Sequence, residues 1–355
     1  MDTIPAGMTP VVRNGLRATL ALPGPVLGKM TDELPDGAEL LSPDQRLLAS
    51  LLGKAGAESV EGIPVELQRE QTDGSAAIVG GRVVTRGLTV TEHEVAGTEG
   101  PLRMRLYRPD ALDDRPAPLL VWFHGGGWVV GSIASHDRSL RALASQSGVA
   151  IATVEYRLAP EHPWPAAPDD CLAAWRDINT RAAEFGADPE RLMVGGDSAG
   201  GNLAAVLCLE LNWADEPMPL AAILIYPVTD LAGKTDSYHQ FSTGFFLSEE
   251  KMNFYRDCYL PDDSDRPDPR VSPLRARLLR GLPPAYVATA AADPLRDEGE
   301  AFARRLGEEG VEVEFERFPA IHGWFNMTVS PTSRKSLGAV AEKVAALSAR
   351  PAPAA

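Results

Sequence analysis

The run at residues 191–203, RLMVGGDSAGGNL, constrains this chain more than any other stretch. Three apolar residues lead into Gly-Gly-Asp-Ser-Ala-Gly-Gly, and a helical pattern follows. A strand that becomes a helix within so few residues needs a sharp turn, with Gly196 and Gly200 placed two residues either side of Ser198. Such a turn strains the backbone of its central residue and exposes the serine hydroxyl above the end of a sheet. The same pattern also fits an ordinary glycine-rich turn. A phosphate-cradling loop is a third reading, but the P-loop lysine is missing.

The rest of the chain places this turn in an α/β fold. Residues 88–95 and 102–109 alternate apolar and polar positions and predict an antiparallel hairpin. Continuous apolar runs at 118–124 and 148–156 read as buried strands, and 191–197, 220–226, 285–290 and 311–318 read as further strands. Helical spacing falls between them at 139–147, 167–185, 200–211, 298–307 and 334–347. Strand alternating with helix predicts a mostly parallel sheet covered by helices on both faces. Two regions lie outside this alternation. Residues 1–85 carry helical spacing at 44–54 and 64–71 behind a loose tail at 1–10. Residues 229–281 form a polar, proline-rich connection with one amphipathic segment at 248–260 and apolar bulk at 244–247. Together they are expected to cap the site, which divides the chain into 1–85, a first core part at 86–228, a cap insertion at 229–281 and a second core part at 282–350. A surface excursion anchored by its aromatics is the plainer reading of 229–281.

Composition narrows the partners. The 355 residues carry a formal charge of −15, which disfavours nucleic acid and anionic membranes. Three widely spaced cysteines, Cys171, Cys208 and Cys258, predict neither a disulfide framework nor a metal site. No apolar run is long enough to span a membrane. Arg13 and Arg17 precede a short apolar piece, but Pro23, Gly24, Pro25 and Gly28 interrupt it, which speaks against a signal peptide and for the cytoplasm.

A serine nucleophile needs a base, an acid that orients the base, and donors for the developing oxyanion. His322 is the candidate base, because it follows the last predicted strand and precedes the final helix. His93 falls in the hairpin, His136 and His239 in polar connections, His162 in a proline-rich loop, and His124 before three glycines. Asp293, just after the strand at 285–290, is the candidate acid. Asp297 and Glu298 compete with it, although both fall in a first helical turn where acids are favoured on structural grounds alone. Asp197 is disfavoured, since neighbours on a tight turn point apart. The segment HGGGW at 124–128 brings Gly126 and Gly127 as backbone donors, with Gly125 and His124 supporting the loop and the Ala199 N–H as a further donor. Trp128, Tyr226, Phe245, Phe246 and Trp324 are the expected apolar pocket residues.

HGGGW at 124–128, YRLAPEHPWPAAPDD at 156–170, GDSAGG at 196–201, DPLRDEG at 293–299 and HGW at 322–324 together resemble the hormone-sensitive-lipase-like (family IV) bacterial esterases over residues 85–348. The resemblance implies an α/β-hydrolase fold with a helical cap. It implies hydrolysis of short- to medium-chain carboxylic esters through an acyl-enzyme, with no cofactor and no metal, and homodimers as a family habit. By position it makes Ser198 the nucleophile, Asp293 the acid and His322 the base. It puts Gly126, Gly127 and Ala199 in the oxyanion hole. An amide, carbamate or lactone would use the same groups. A non-catalytic small-molecule receptor on this fold is the rival from another class, and the presence of His322 argues against it. A lipase working at an oil interface would need an exposed amphipathic lid, which the sequence does not suggest.

Overall fold

Alternation along the buried strands decides which helices cover which face. The computed structural model describes residues 9–113 and 116–351, so residues 1–8 of the expected tail lie outside it. Among the described residues, eight strands form one sheet: β1 (Leu88–Gly97), β2 (Gly100–Pro109), β3 (Ala117–Phe123), β4 (Ala150–Val154), β5 (Ala187–Asp197), β6 (Ala222–Ile225), β7 (Ala285–Ala292) and β8 (Val313–Ile321). Their order is β1-β2-β4-β3-β5-β6-β7-β8. The β1–β2 and β2–β4 pairs are antiparallel and the pairs from β4 through β8 are parallel.

The helices are α1 (Thr9–Leu20), α2 (Gly24–Met30), α3 (Pro43–Lys54), α4 (Val65–Val79), α5 (Ile133–Ser147), α6 (Ala166–Thr180), α7 (Ala199–Trp213), α8 (Asp236–Gln240), α9 (Glu249–Tyr259), α10 (Arg296–Glu308) and α11 (Pro331–Ser348). Leu119, Val121 and Phe123 of β3 point to one face and pack with α6, α7 and α10. Leu120 and Trp122 point to the other and pack with α5 and α11. Both faces are therefore dry, as a parallel sheet requires.

The chain leaves β3 for β4 on one side and returns to β5 on the other. The carboxyl ends of β3 and β5 thus flank a topological switch point, the place where open α/β sheets hold their ligands. HGGGW follows β3 and Ser198 follows β5, so the order of strands brings the two segments to one crevice.

Several boundaries differ from expectation. Thr9 and Pro10 belong to α1 rather than to a loose tail. Helix α2 occupies the stretch whose prolines and glycines looked like interruptions, because Pro25 sits in its first turn, where a missing N–H costs nothing. Burial supplies what local propensity lacks: Leu20, Leu27, Leu47 and Leu48 form a third cluster with Phe241, Phe245 and Ile321 over the ends of β7 and β8. Helix α5 starts at Ile133, six residues before the apolar spacing suggests. Ser132 and Ser135 cap it reciprocally, a capping box with serine in place of the usual Glu or Gln.

The N-terminal helices and the 229–281 connection are tied together by two carboxylates. Glu58 accepts from the Gly244 and Phe246 N–H groups at 2.9 and 3.0 Å. Glu250 accepts from the Val60 and Glu61 N–H groups at 2.9 and 3.0 Å.

Candidate active site

Ser198 stands between β5 and α7 with φ 57° and ψ −119°, left-handed backbone for a non-glycine residue, which costs ~1–3 kcal/mol. The turn is closed by contact. A Cβ on Gly200 would lie 1.9 Å from the Phe123 carbonyl oxygen, so only glycine lets α7 start against β3. His322 follows β8 and presents Nε2 to Ser198 Oγ at 3.0 Å. Its Nδ1 lies 2.8 Å from Asp293 Oδ2. Asp293 is fully buried, and its second oxygen accepts the Leu295 N–H at 2.9 Å, which fixes the carboxylate plane. An N–H on Nδ1 facing that carboxylate leaves the Nε2 lone pair directed at the serine hydroxyl.

The loop after β3 is built for close approach. Gly126 has φ 128°, and a Cβ there would meet the Val130 carbonyl oxygen at 2.0 Å. The Gly126 carbonyl oxygen accepts from the Val129 and Val130 N–H groups at 3.1 and 3.0 Å, which folds the loop back on itself. His124 lies fully buried beneath it. Its ring stacks on Tyr156 at 4.3 Å, and the Tyr156 hydroxyl donates to the His124 carbonyl at 2.6 Å. Burial first, and then the neighbouring His136, push the His124 imidazole down to about 3, so it is neutral. Ala199 is the first residue of α7, where backbone N–H groups have no partner within the helix.

A cavity of about 250 Å³ opens on these groups. Gly125, Gly126, Gly127, Ser198 and His322 line its floor, α4 contributes Ala76 and Val79, and the 229–281 connection contributes Leu231, Phe246 and Met252. Trp128 and Tyr226 also line it. Phe245 and Trp324 do not. Phe245 is fully buried edge-on against Phe241, and Trp324 is fully buried between Phe318 and Tyr226. Core packing claims both side chains, Phe245 in the cluster over the ends of β7 and β8 and Trp324 beside α11, while Phe246 faces the cavity. Among the described residues, no group of three His, Cys, Asp or Glu side chains is placed to hold a metal ion. No described helix is long and apolar enough to cross a membrane.

Residues 120–326 match the sequence profile of an alpha/beta hydrolase fold family. The chain belongs to that family. The α/β-hydrolase is 42% identical to the carboxylic ester hydrolase LipN of Mycobacterium tuberculosis over 245 residues, which make up 67% of this chain and 65% of LipN. It is 35% identical to an ethyl acetate hydrolase of Pseudomonas putida over 81% of this chain and 92% of that protein. Among solved structures, it resembles the ester-hydrolase EH1AB1 from the Lake Arreo metagenome, bound to a bipyridine phosphonate derivative. That match has a TM-score of 0.83 and 39% identity over 86% of this chain and 98% of the other. A hyperthermophilic esterase of Pyrobaculum calidifontis matches with a TM-score of 0.80 and 35% identity, over 86% of this chain and 98% of that one.

Three ionisable groups of the hydrolase outside the Asp293–His322–Ser198 line are buried beside the site. His136, expected in a polar connection, lies in the first turn of α5 and is buried against Asp197. Its spacing to Leu140 and Leu143 puts it on the apolar stripe, which was the available signal. Asp197 points away from Ser198, as expected, but into a buried polar cluster beneath the glycine loop. Glu298 shares a helical face with Phe302 and Leu306 and is buried beside the cavity. It accepts the Thr229 and Asp230 N–H groups at 2.7 and 3.2 Å.

Burial pushes the Glu298 carboxyl up to about 8, against the pull of those two N–H groups. Its folded value thus lies above the ordinary 4.5. The folded protein therefore holds a proton that the unfolded chain gives up, and this contribution to stability is lost as pH rises from 4.5 through 8. Glu298→Gln keeps an acceptor oxygen and removes the titration. Melting curves should show the variant gaining on the wild type as pH rises from 5 to 8.5. A difference in Tm that stays constant across that range would contradict the assignment.

Proposed function

We propose that the chain is a serine carboxylesterase that hydrolyses short- to medium-chain esters through an acyl-enzyme. The observation that carries this reading is the unbroken line Asp293–His322–Ser198, with 2.8 and 3.0 Å contacts, opening into a cavity floored by the glycine loop. Ser198 Oγ attacks the ester carbonyl while His322 Nε2 takes its proton. Asp293 holds the imidazole tautomer and balances the imidazolium. The Gly126, Gly127 and Ala199 N–H groups receive the negative oxygen of the tetrahedral intermediate. Collapse expels the alcohol, which leaves with the proton from His322. Water then attacks the acyl-enzyme with His322 again as base, and the carboxylic acid leaves as Ser198 recovers its proton.

Residues 1–85 and 229–281 act together as a cap. Support comes from the Glu58 and Glu250 contacts between them and from the side chains both contribute to the cavity. A volume of about 250 Å³ is below the ~300–1,000 Å³ of most small-molecule pockets, which favours small acyl and alcohol groups. Turnover of p-nitrophenyl esters from acetate to decanoate should therefore be high for short acyl chains and fall steeply towards decanoate, and a fluorophosphonate should label Ser198. Labelling without turnover of any of these esters would move the search to amides, carbamates or lactones. The absence of both would remove the esterase reading.

A further inference from the structure

Beneath the glycine loop lies a second buried Asp–His pair that the reaction above does not use. Asp197 and His136 are both almost fully buried. His136 Nε2 sits between the two Asp197 oxygens, at 3.1 and 3.2 Å. Hydrogen-bond accounting fixes the proton on one ring nitrogen. A carboxylate only accepts, so Nε2, which faces both Asp197 oxygens, carries a proton. Nδ1 on the far side of the ring lies 2.9 Å from the Ser135 hydroxyl. Burial pulls the His136 value down, but Asp197, together with the Ser132 backbone and Glu155, raises it. The same pair holds Asp197 below the ordinary carboxylate range despite its burial.

This settles where the Gly125 N–H goes. It lies 3.3 Å from His136 Nε2 and 3.2 Å from Asp197 Oδ1, and a protonated Nε2 cannot accept it. Gly125 is thus committed to the carboxylate, and its N–H is not available to an oxyanion. The Asp197 oxygens also receive Trp122 Nε1 at 3.2 Å, Asn326 Nδ2 at 3.3 Å and the Tyr226 hydroxyl at 3.4 Å. One carboxylate therefore joins the end of β3, the glycine loop, the turn before Ser198, the loop after β6 and the turn after His322. Tyr226 in turn packs against the His322 ring, with centroids 4.6 Å apart.

We propose that Asp197, held by the His136 Nε2–H, is a positioning residue that sets the Gly126 and Gly127 N–H groups at the height of the oxyanion formed at Ser198. The proposal rests on the esterase reading. Its energetic logic is that donors aimed in advance at a developing charge stabilise the transition state more than the bound ester.

The test compares Asp197→Ala, Asp197→Asn, His136→Ala and His136→Gln with the wild type on p-nitrophenyl butyrate. Thermal melting checks each fold. Inhibition by a trifluoromethyl ketone supplies a stable mimic of the tetrahedral adduct. Asp197→Ala should lose about 10²–10³ in kcat, as for loss of one oxyanion donor, with KM nearly unchanged. Asp197→Asn keeps an acceptor for Gly125 and should recover part of that loss, as His136→Gln should relative to His136→Ala. Affinity for the ketone should fall in step with kcat/KM. If Asp197→Ala does not fold, the Asn and Gln variants carry the comparison. Folded Asn and Ala variants with kcat within twofold of wild type, or with a raised KM and unaltered ketone affinity relative to substrate, would overturn the positioning role while leaving the esterase intact. A wild type that neither turns over esters nor labels at Ser198 would overturn the esterase reading first.

Discussion

Ser198→Ala should lower kcat on short p-nitrophenyl esters by about 10⁵–10⁶-fold, the scale seen when the nucleophile of such a unit is removed. The loss should fall on kcat, because the alanine protein keeps the glycine loop and the cavity walls and so still binds the ester. Folding should survive. The Ser198 side chain makes a 3.0 Å contact to His322, whereas the elbow itself is held by backbone contacts, including the Ser198 N–H to the Ile225 carbonyl at 2.9 Å. Alanine accepts the strained φ no better and no worse than serine, so Tm should move little. The check is a steady-state assay beside melting curves and fluorophosphonate labelling. Activity within tenfold of wild type in a folded variant, or an adduct on another residue, would mean that the nucleophile has been misassigned.

The line Asp293–His322–Ser198 could be anticipated from sequence because each of its residues announces itself locally. Two glycines flank Ser198 on a strand-to-helix switch, three glycines follow β3, and Asp293 and His322 stand just past the last two strands. Strand order then does the rest, since every one of these segments leaves the same end of the sheet. What could not be read was set by packing at a distance. Glu58 finds Gly244 and Phe246 across 186 and 188 residues. The Asp197–His136 pair joins residues 61 apart. No periodicity encodes either. Helices α1 and α2 are poor helices by composition and owe their form to the cluster that Leu20 and Leu27 enter. Phe245 and Trp324 failed as pocket residues for a related reason: an aromatic in a turn is equally able to face the core, and here the core claimed both.

Asp293→Asn should cost roughly 10⁴ in kcat, and Asp297→Asn should cost almost nothing. The contrast separates the acid from its neighbours, which the sequence alone left as competitors. An asparagine at 293 fits the same space, but its amide offers Nδ1 either a donor or a neutral acceptor. The donor orientation reverses the imidazole tautomer, so that Nε2 carries the proton and cannot take one from Ser198. The neutral orientation leaves the imidazolium unbalanced in a buried site. Asp297 has other work. It accepts the Ser237 N–H at 2.8 Å in the first turn of α8 and pairs with Arg296 at 2.8 Å. Glu298 is likewise occupied with the Thr229 and Asp230 N–H groups. Both variants should bind the ester with similar KM, so the comparison is one of kcat at a single saturating ester concentration, with melting curves to exclude unfolding. A damaging Asp297→Asn beside a near-native Asp293→Asn would transfer the acid role and require His322 to turn its Nδ1 towards α10, away from the carboxylate it now faces at 2.8 Å.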